Sequence, residues 1–155
     1  MQYSDQLLVK DALPLFFNNN KLGDGGYKDT FFKIRLAGVN IPIPNIQSRV
    51  TVARLHDIHH LLTGYQANWK GEAEIGAWEL RTGCRNLWVA WLLNAGAVMV
   101  GLLLYPRAVY SAWKNAANAR TNMYYFEESY DKLLEMDLGS LRNRIFNSTG
   151  QRFKQ

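Results

Sequence analysis

Apolar residues recur through most of this chain three and four positions apart, which is the spacing of one face of an α-helix. Ser4 predicts an N-cap for the first such stretch, and Asp137 predicts one for the last. Gly64 follows the second stretch, where glycine readily takes the left-handed conformation that ends a helix. The pattern predicts helices over residues 4–17, 46–63, 72–82, 87–105, 107–125, 126–135 and 138–146.

Two segments near the N-terminus break this helical pattern. Residues 18–26 are rich in Asn and Gly, which indicates a loop. Residues 30–43 are rich in β-branched and aromatic side chains, and Pro42 and Pro44 exclude a helix there. The sequence therefore predicts a mainly α protein, a single-domain helical bundle with one short β or extended segment near its N-terminus.

Length and composition fit one domain. The chain has 155 residues, 48% of them apolar, and neither an internal repeat nor a low-complexity linker divides it. We expect residues 1–155 to form a single domain. Within it, an N-terminal helix, loop and extended segment (1–45) precede a helical core (46–146).

The charge and the single cysteine limit the partners and the compartment. A net charge of +5 favours an anionic partner, but the Lys and Arg residues are dispersed and no nucleic-acid-binding motif occurs, so we expect a membrane surface and no nucleic acid. Cys84 alone cannot form an internal disulfide, which fits a reducing compartment. Asp5 and Asp11 do not fit a mitochondrial leader, so we expect a bacterial cytoplasmic setting.

Residues 87–105 form the most apolar stretch of the chain, and Asn94 is its one strongly polar side chain. About 20 apolar residues suffice to cross a bilayer, so a membrane span is one interpretation. The buried central helix of a bundle is another. We favour a third, in which the helix lines a pocket for a long apolar ligand or touches the membrane.

All three histidines lie within five residues. His56 and His60 are one helical turn apart, Asp57 is about 100° further round, and Glu72 begins the next predicted helix. Two imidazoles and two carboxylates suit Zn²⁺ or another divalent first-row ion. These four residues are therefore the predicted metal ligands, and we expect His59 to support them from behind or to pack.

Other residues near this motif have two interpretations each. Glu79 is seven residues after Glu72 and nearly in line with it, so it is a reserve ligand or a supporting partner. Tyr65 and Trp69 either line a substrate pocket or pack in the core. Two arginines, Arg54 and Arg81, either bind a substrate anion or form surface ion pairs.

The ligand pattern resembles a known family. His56, Asp57 and His60, followed eleven residues later by Glu72, are similar to the His-Asp-x-x-His-(x)11-Glu signature of the coenzyme Q biosynthesis protein four family. Softer similarities cover about 46–146 of the chain, whereas its first 45 residues match nothing in that family. The resemblance implies a mainly helical, peripheral membrane protein with Zn²⁺ at these four residues and an apolar site for a polyprenyl tail.

The resemblance also implies a function in ubiquinone biosynthesis. Members are implicated in removing the ring carboxylate of a polyprenyl-hydroxybenzoate, with hydroxylation at the same carbon, and in assembling the other quinone-biosynthesis enzymes. An enzyme of this kind would be a decarboxylase-like lyase, with Glu72 as a labile, catalytic ligand. The protein would act as a monomer or as a homodimer. It would lie on the cytoplasmic side of the bacterial inner membrane, or on the matrix side of the mitochondrial inner membrane. A non-catalytic prenyl-lipid scaffold and a single-span membrane protein with a metal-binding head are the alternatives.

Overall fold

The computed structural model describes residues 2–23, 26–36 and 39–146. Over this part of the chain the fold is mainly helical, as predicted, and a two-stranded hairpin lies near the N-terminus. The elements in order are α1 (Val9–Asn20), β1 (Phe31–Leu36), β2 (Val39–Pro44), α2 (Gln47–Thr63), α3 (Trp69–Thr82), α4 (Trp88–Leu104), α5 (Pro106–Asn115), α6 (Tyr130–Leu134) and α7 (Leu138–Ile145). Two short 3₁₀ turns, Ala116–Asn118 and Met123–Tyr125, lie between α5 and α6.

The ends of α2 and the start of α3 follow from local sequence. Gly64 adopts a left-handed φ of 81° and its N–H donates to the carbonyl of His60, so α2 ends as predicted. Helix α3 begins three residues earlier than predicted, because the side chain of Asn68 accepts a hydrogen bond from the N–H of Gly71. Trp69, which lies between two of the predicted helices, is therefore the first residue of α3.

The first predicted helix is displaced. Helix α1 begins at Val9 rather than at Ser4, and it continues past Pro14 to Asn20, through part of the predicted loop. The segment before it is held instead by the C-terminal region, because Leu8 forms an antiparallel bridge with Asp137. Pro14 is tolerated within α1 because the apolar face on both sides of it is buried in the core. Residues 24 and 25 of the predicted loop lie outside the described residues.

The predicted extended segment is a β-hairpin. Strands β1 and β2 are antiparallel, with Phe31 opposite Pro44 and Leu36 opposite Val39. Both strands are edges of this sheet, which is where the backbone of proline, lacking an N–H, is accommodated. The hairpin leads directly into α2, the helix that carries the histidines.

The single helix predicted over 107–125 is wrong. Helix α5 ends at Asn115, and the chain then runs through the two 3₁₀ turns. Asn122 causes the change, because its side chain accepts from the N–H of Tyr124 and donates to the Thr82 hydroxyl and the Gly83 carbonyl. These contacts bind the segment to the end of α3, and a continued helix would lose them. The last two helices are confirmed, with α6 shorter than predicted and Asp137 capping α7.

Helix α4 packs closely on α3 and α5 along one side only. Gly101 is buried between them, where an added Cβ would lie 2.3 Å from the Cβ of Ala73 and 2.8 Å from Val109 Cγ2. The opposite side of α4 exposes a row of large apolar side chains to solvent. No helix in the described ranges has both the length and the apolarity to cross a bilayer.

Two glycines of α4 test this packing. Gly101→Ala should lower the free energy of unfolding by about 1–3 kcal/mol, because the methyl group overpacks the contact with α3 and α5. Gly96→Ala is the matched control, since no atom lies within 4 Å of its added Cβ. It should raise stability by about 0.4–1 kcal/mol by reducing the entropy of the unfolded chain. Urea unfolding measures both, and equal effects of the two substitutions would contradict the packing of α4.

Candidate metal centre

Helix α2 brings two imidazoles to the N-terminal turn of α3. His56 and His60 lie one turn apart, and their rings meet edge to face with centroids 4.7 Å apart. Glu72 reaches them from the first turn of α3. The chain can make this approach because Gly71 has no side chain: a Cβ there would lie 1.8 Å from the carbonyl oxygen of Gln66. The sequence Gly71-Glu72 therefore positions the carboxylate.

The donor groups of His56, His60 and Glu72 form a triangle. Nε2 of His56 and Nε2 of His60 are 3.1 Å apart; Nε2 of His56 lies 3.3 Å from Oε2 of Glu72, and Nε2 of His60 lies 3.4 Å from its Oε1. Ligands of a tetrahedral Zn²⁺ with bonds of about 2.0–2.1 Å are separated by about 3.3–3.4 Å. The group can thus hold a metal ion.

Hydrogen bonds behind the two rings direct their lone pairs into the triangle. Nδ1 of His56 lies 2.8 Å from Oε1 of Glu79, and Nδ1 of His60 lies 2.9 Å from the carbonyl oxygen of Tyr65. A carboxylate and a carbonyl only accept, so each Nδ1 carries the proton and donates. In the neutral rings, each Nε2 then has a lone pair that can bind a cation. Carboxylate and carbonyl partners of this kind are typical behind metal-bound histidines.

Glu79 is completely buried and accepts four hydrogen bonds. Oε1 accepts from His56 and from Nδ1 of His59 at 2.7 Å, and Oε2 accepts from Asn94 Nδ2 at 2.5 Å and from the Tyr124 hydroxyl at 2.7 Å. Burial by itself would raise the pKa of Glu79, but His56 and His59 hold it well below its usual range. The site therefore contains a buried carboxylate that stays charged.

Electrostatics prepare the site for a cation. Burial would lower the pKa of His56, but the carboxylates of Glu79 and Glu72 raise it well above the ordinary value. Burial would raise the pKa of Glu72, but His60 and His56 lower it. A positive charge at the triangle is thus favoured, and a divalent ion would supply it in place of a proton.

His59 lies behind the triangle, as the sequence suggested for a supporting or packing residue. It is fully buried, and its Nε2 accepts the N–H of Met123 at 2.9 Å while Nδ1 donates to Glu79. Burial lowers its pKa, so this imidazole is neutral. Its two bonds join α2 to α3 and to the second 3₁₀ turn.

The fourth predicted ligand is engaged elsewhere. The carboxylate of Asp57 accepts a short hydrogen bond from the Tyr27 hydroxyl, and burial raises its pKa. Within the described residues, the group that can hold a metal contains His56, His60 and Glu72 without Asp57. Helical geometry placed Asp57 in the right sector, but Tyr27 arrives from a loop thirty positions away.

The other predicted site residues are dispersed around the centre. Tyr65 contributes its carbonyl to His60, and burial raises the pKa of its phenol to about 12. Trp69 is half exposed at the start of α3. The guanidinium of Arg54 stacks on Tyr130, and that of Arg81 lies over Trp113 5.4 Å from the ring centroid.

Three residues of the site were not assigned a role from the sequence. Asn94 and Tyr124 bind Glu79, and Tyr27 binds Asp57. Asn94 had a visible signal, because a lone amide in a helix of apolar residues needs a buried partner. The two tyrosines had no such signal, since each is distant in sequence from the carboxylate that it contacts.

Comparisons with known proteins were made for the whole chain. Neither known protein families nor curated proteins nor solved structures give a match to this chain.

Two neighbouring carboxylates on α3 test the centre. The purified protein should bind one divalent ion per chain, and Glu72→Gln should weaken that binding by about 100-fold or more, because an amide oxygen is a poor substitute for a carboxylate. Glu74→Gln is the control, since Glu74 pairs with Lys70 on the same helix and lies outside the triangle. Metal content after dialysis against a weak chelator measures both. If both variants retained the same amount of metal, Glu72 would not be a ligand.

Proposed function

We propose that this chain is a metal-dependent, membrane-associated enzyme of ubiquinone biosynthesis that decarboxylates a polyprenyl-hydroxybenzoate. The observation that carries the proposal is the triangle of His56, His60 and Glu72. These are three of the four positions at which the sequence resembles the coenzyme Q biosynthesis protein four signature. Two imidazoles and a carboxylate are donors that suit Zn²⁺, which supports this ion as the cation.

A set of three protein donors favours catalysis over a purely structural site. Structural zinc sites have four protein ligands, whereas catalytic sites have three and leave one position for water or substrate. The Glu72 side chain is 41% exposed and that of His56 19% exposed, so a ligand can approach from this side. When bound, Zn²⁺ would act as a Lewis acid towards an oxygen of the substrate.

The reaction needs no oxidant. The bond between the ring carbon and the carboxylate breaks, CO₂ leaves, and the electron pair stays on the ring carbon, which takes up a proton. Glu79 fixes the orientation of His56, and the Tyr65 carbonyl fixes that of His60, so the donors do not have to reorganise during the reaction. The hydroxylation implied by the resemblance would require dioxygen and an electron donor, and the proposal covers loss of CO₂ alone.

A turnover assay tests the proposed reaction. Zinc-loaded protein incubated with a prenylated hydroxybenzoate should release CO₂ and give a ring product with hydrogen in place of the carboxylate. His60→Ala should lower the rate by at least about 100-fold, because it removes one of the three donors, while Glu74→Gln should keep wild-type activity. No turnover with zinc, manganese, iron or cobalt would contradict the enzyme. Prenyl lipid that co-purifies with an inactive protein would favour the scaffold alternative.

The outer face of α4 supports association with a membrane surface. Seven of its exposed apolar side chains lie along one helical stripe, which we call the α4 stripe: Trp88, Trp91, Leu92, Ala95, Met99, Leu102 and Leu103. The exposed Arg85 and Arg107 flank the two ends of α4. Tryptophan beside cationic residues is typical of surfaces that enter the headgroup region of anionic bilayers. A polyprenyl substrate would be met in the same bilayer.

Vesicle flotation tests the α4 stripe. The wild-type protein should float with vesicles of phosphatidylcholine and phosphatidylglycerol, and Leu92→Glu with Leu103→Glu should reduce the bound fraction at least tenfold, because charge opposes burial in lipid. Leu15→Glu is the control, since Leu15 is also an exposed leucine but lies on α1. Unchanged flotation of the double variant would contradict this surface. A dimer that the double variant dissociates, without any vesicle binding, would assign the stripe to a second copy of the chain.

A further inference from the structure

A cavity separate from the metal triangle has Tyr124 in its wall, and the hydroxyl of Tyr124 donates to Glu79. The cavity encloses about 440 Å³, within the range of small-molecule sites. Apolar and aromatic side chains form its walls, namely Leu55, Leu87, Tyr124, Phe126 and Tyr130. None of the three metal-donor residues lines it. The exposed Thr51 and Asn86 lie among its lining residues, so the cavity reaches the surface.

Arg54 brings an incompletely satisfied cation to this cavity. Its guanidinium lies between two phenol rings, 4.8 Å from the Tyr130 centroid and 5.6 Å from that of Tyr27. Its Nε is buried and has no hydrogen-bond partner in the part of the chain that the structure describes. A buried N–H without a partner costs free energy. The two ring contacts hold the guanidinium of Arg54 at the cavity.

A second arginine stands at the cavity. Arg85 takes a left-handed φ of 48°, uncommon for a residue with a side chain and worth about 1–3 kcal/mol of strain. The indole N–H of Trp91 donates to its carbonyl and holds this turn. Neither arginine forms an ion pair with a carboxylate of the described residues. Glu128, the one acidic lining residue, is already paired with Arg144 at 2.8 Å, which lowers its pKa.

We propose that this cavity binds an aromatic carboxylate, held by Arg54 and Arg85 with its ring against Tyr124 and Phe126. Guanidinium groups bind planar oxyanions with two parallel hydrogen bonds, and both arginines line the cavity. The apolar walls can pack against the aromatic ring, so an aromatic anion fits this cavity better than a small inorganic anion does. The site is separate from the metal triangle, so it does not depend on the proposed reaction.

Its position links the ligand to the metal centre. Tyr124 forms part of the wall, and its hydroxyl donates to Oε2 of Glu79, whose Oε1 accepts from His56. A ring packed on Tyr124 would therefore lie next to the hydrogen-bond network that orients a metal donor. The cavity is thus connected to the candidate metal centre through Tyr124 and Glu79, although none of the three donor residues lines it.

Calorimetric titration with benzoate tests the site. Wild-type protein should bind benzoate at one site per chain and bind the neutral isostere benzamide at least tenfold more weakly. Arg54→Met keeps the apolar stem and should weaken benzoate binding at least tenfold. Arg85→Met should also weaken it, and this variant at the exposed mouth guards against a folding defect of Arg54→Met. Arg81→Met is the control, because Arg81 contacts Trp113 and does not line the cavity.

Two further arms separate this site from the metal centre and from simple anion binding. Metal-free Glu72→Gln should bind benzoate with wild-type affinity. Loss of benzoate binding in that variant would show that benzoate binds at the metal triangle. This result would overturn the separate site without contradicting the proposed reaction. Inorganic phosphate should compete at least tenfold less well than benzoate. Equal binding of benzoate and benzamide, or no effect of either arginine variant, would also overturn the proposal.

Discussion

The buried carboxylate of Glu79 is the constraint on which the rest of this structure depends. An ionised carboxylate removed from water is destabilising by several kcal/mol unless its oxygens are fully hydrogen-bonded. Four donors meet that requirement here, and they come from α2, α4 and the second 3₁₀ turn, while Glu79 itself is on α3. The hydrogen bonds that compensate the charge of Glu79 therefore form only when these elements pack together. Removing any single donor would leave a buried charge incompletely compensated.

This arrangement places the site and the core in one network. His56 uses one nitrogen for Glu79 and turns the other towards His60 and Glu72. The imidazole cannot rotate without breaking its bond to a fully buried partner, so the donor triangle is held before any ion binds. His59 transmits the same constraint to the backbone of Met123. A short stretch of α2 thus contributes both to the candidate metal centre and to the connection between helices.

The sequence was informative where local chemistry decides structure. The periodicity of residues 46–63 and Gly64 gave α2 with nearly correct ends, and helical spacing paired His56 with His60. It failed where distant contacts decide. The 107–125 segment has helical periodicity, but Asn122 exchanges helical hydrogen bonds for contacts with Thr82 and Gly83. Asp57 has the right angle on the helix, yet its partner is Tyr27, and no local pattern could reveal that choice.

X-ray absorption spectroscopy of the zinc-loaded protein tests the central claim most directly. The account predicts a first shell of four nitrogen and oxygen atoms at about 2.0–2.1 Å, with the outer-shell scattering of two imidazole rings. Three of these atoms would come from His56, His60 and Glu72, and the fourth from water. A shell of water oxygens without imidazole scattering, or a spectrum unchanged in His56→Ala, would contradict it.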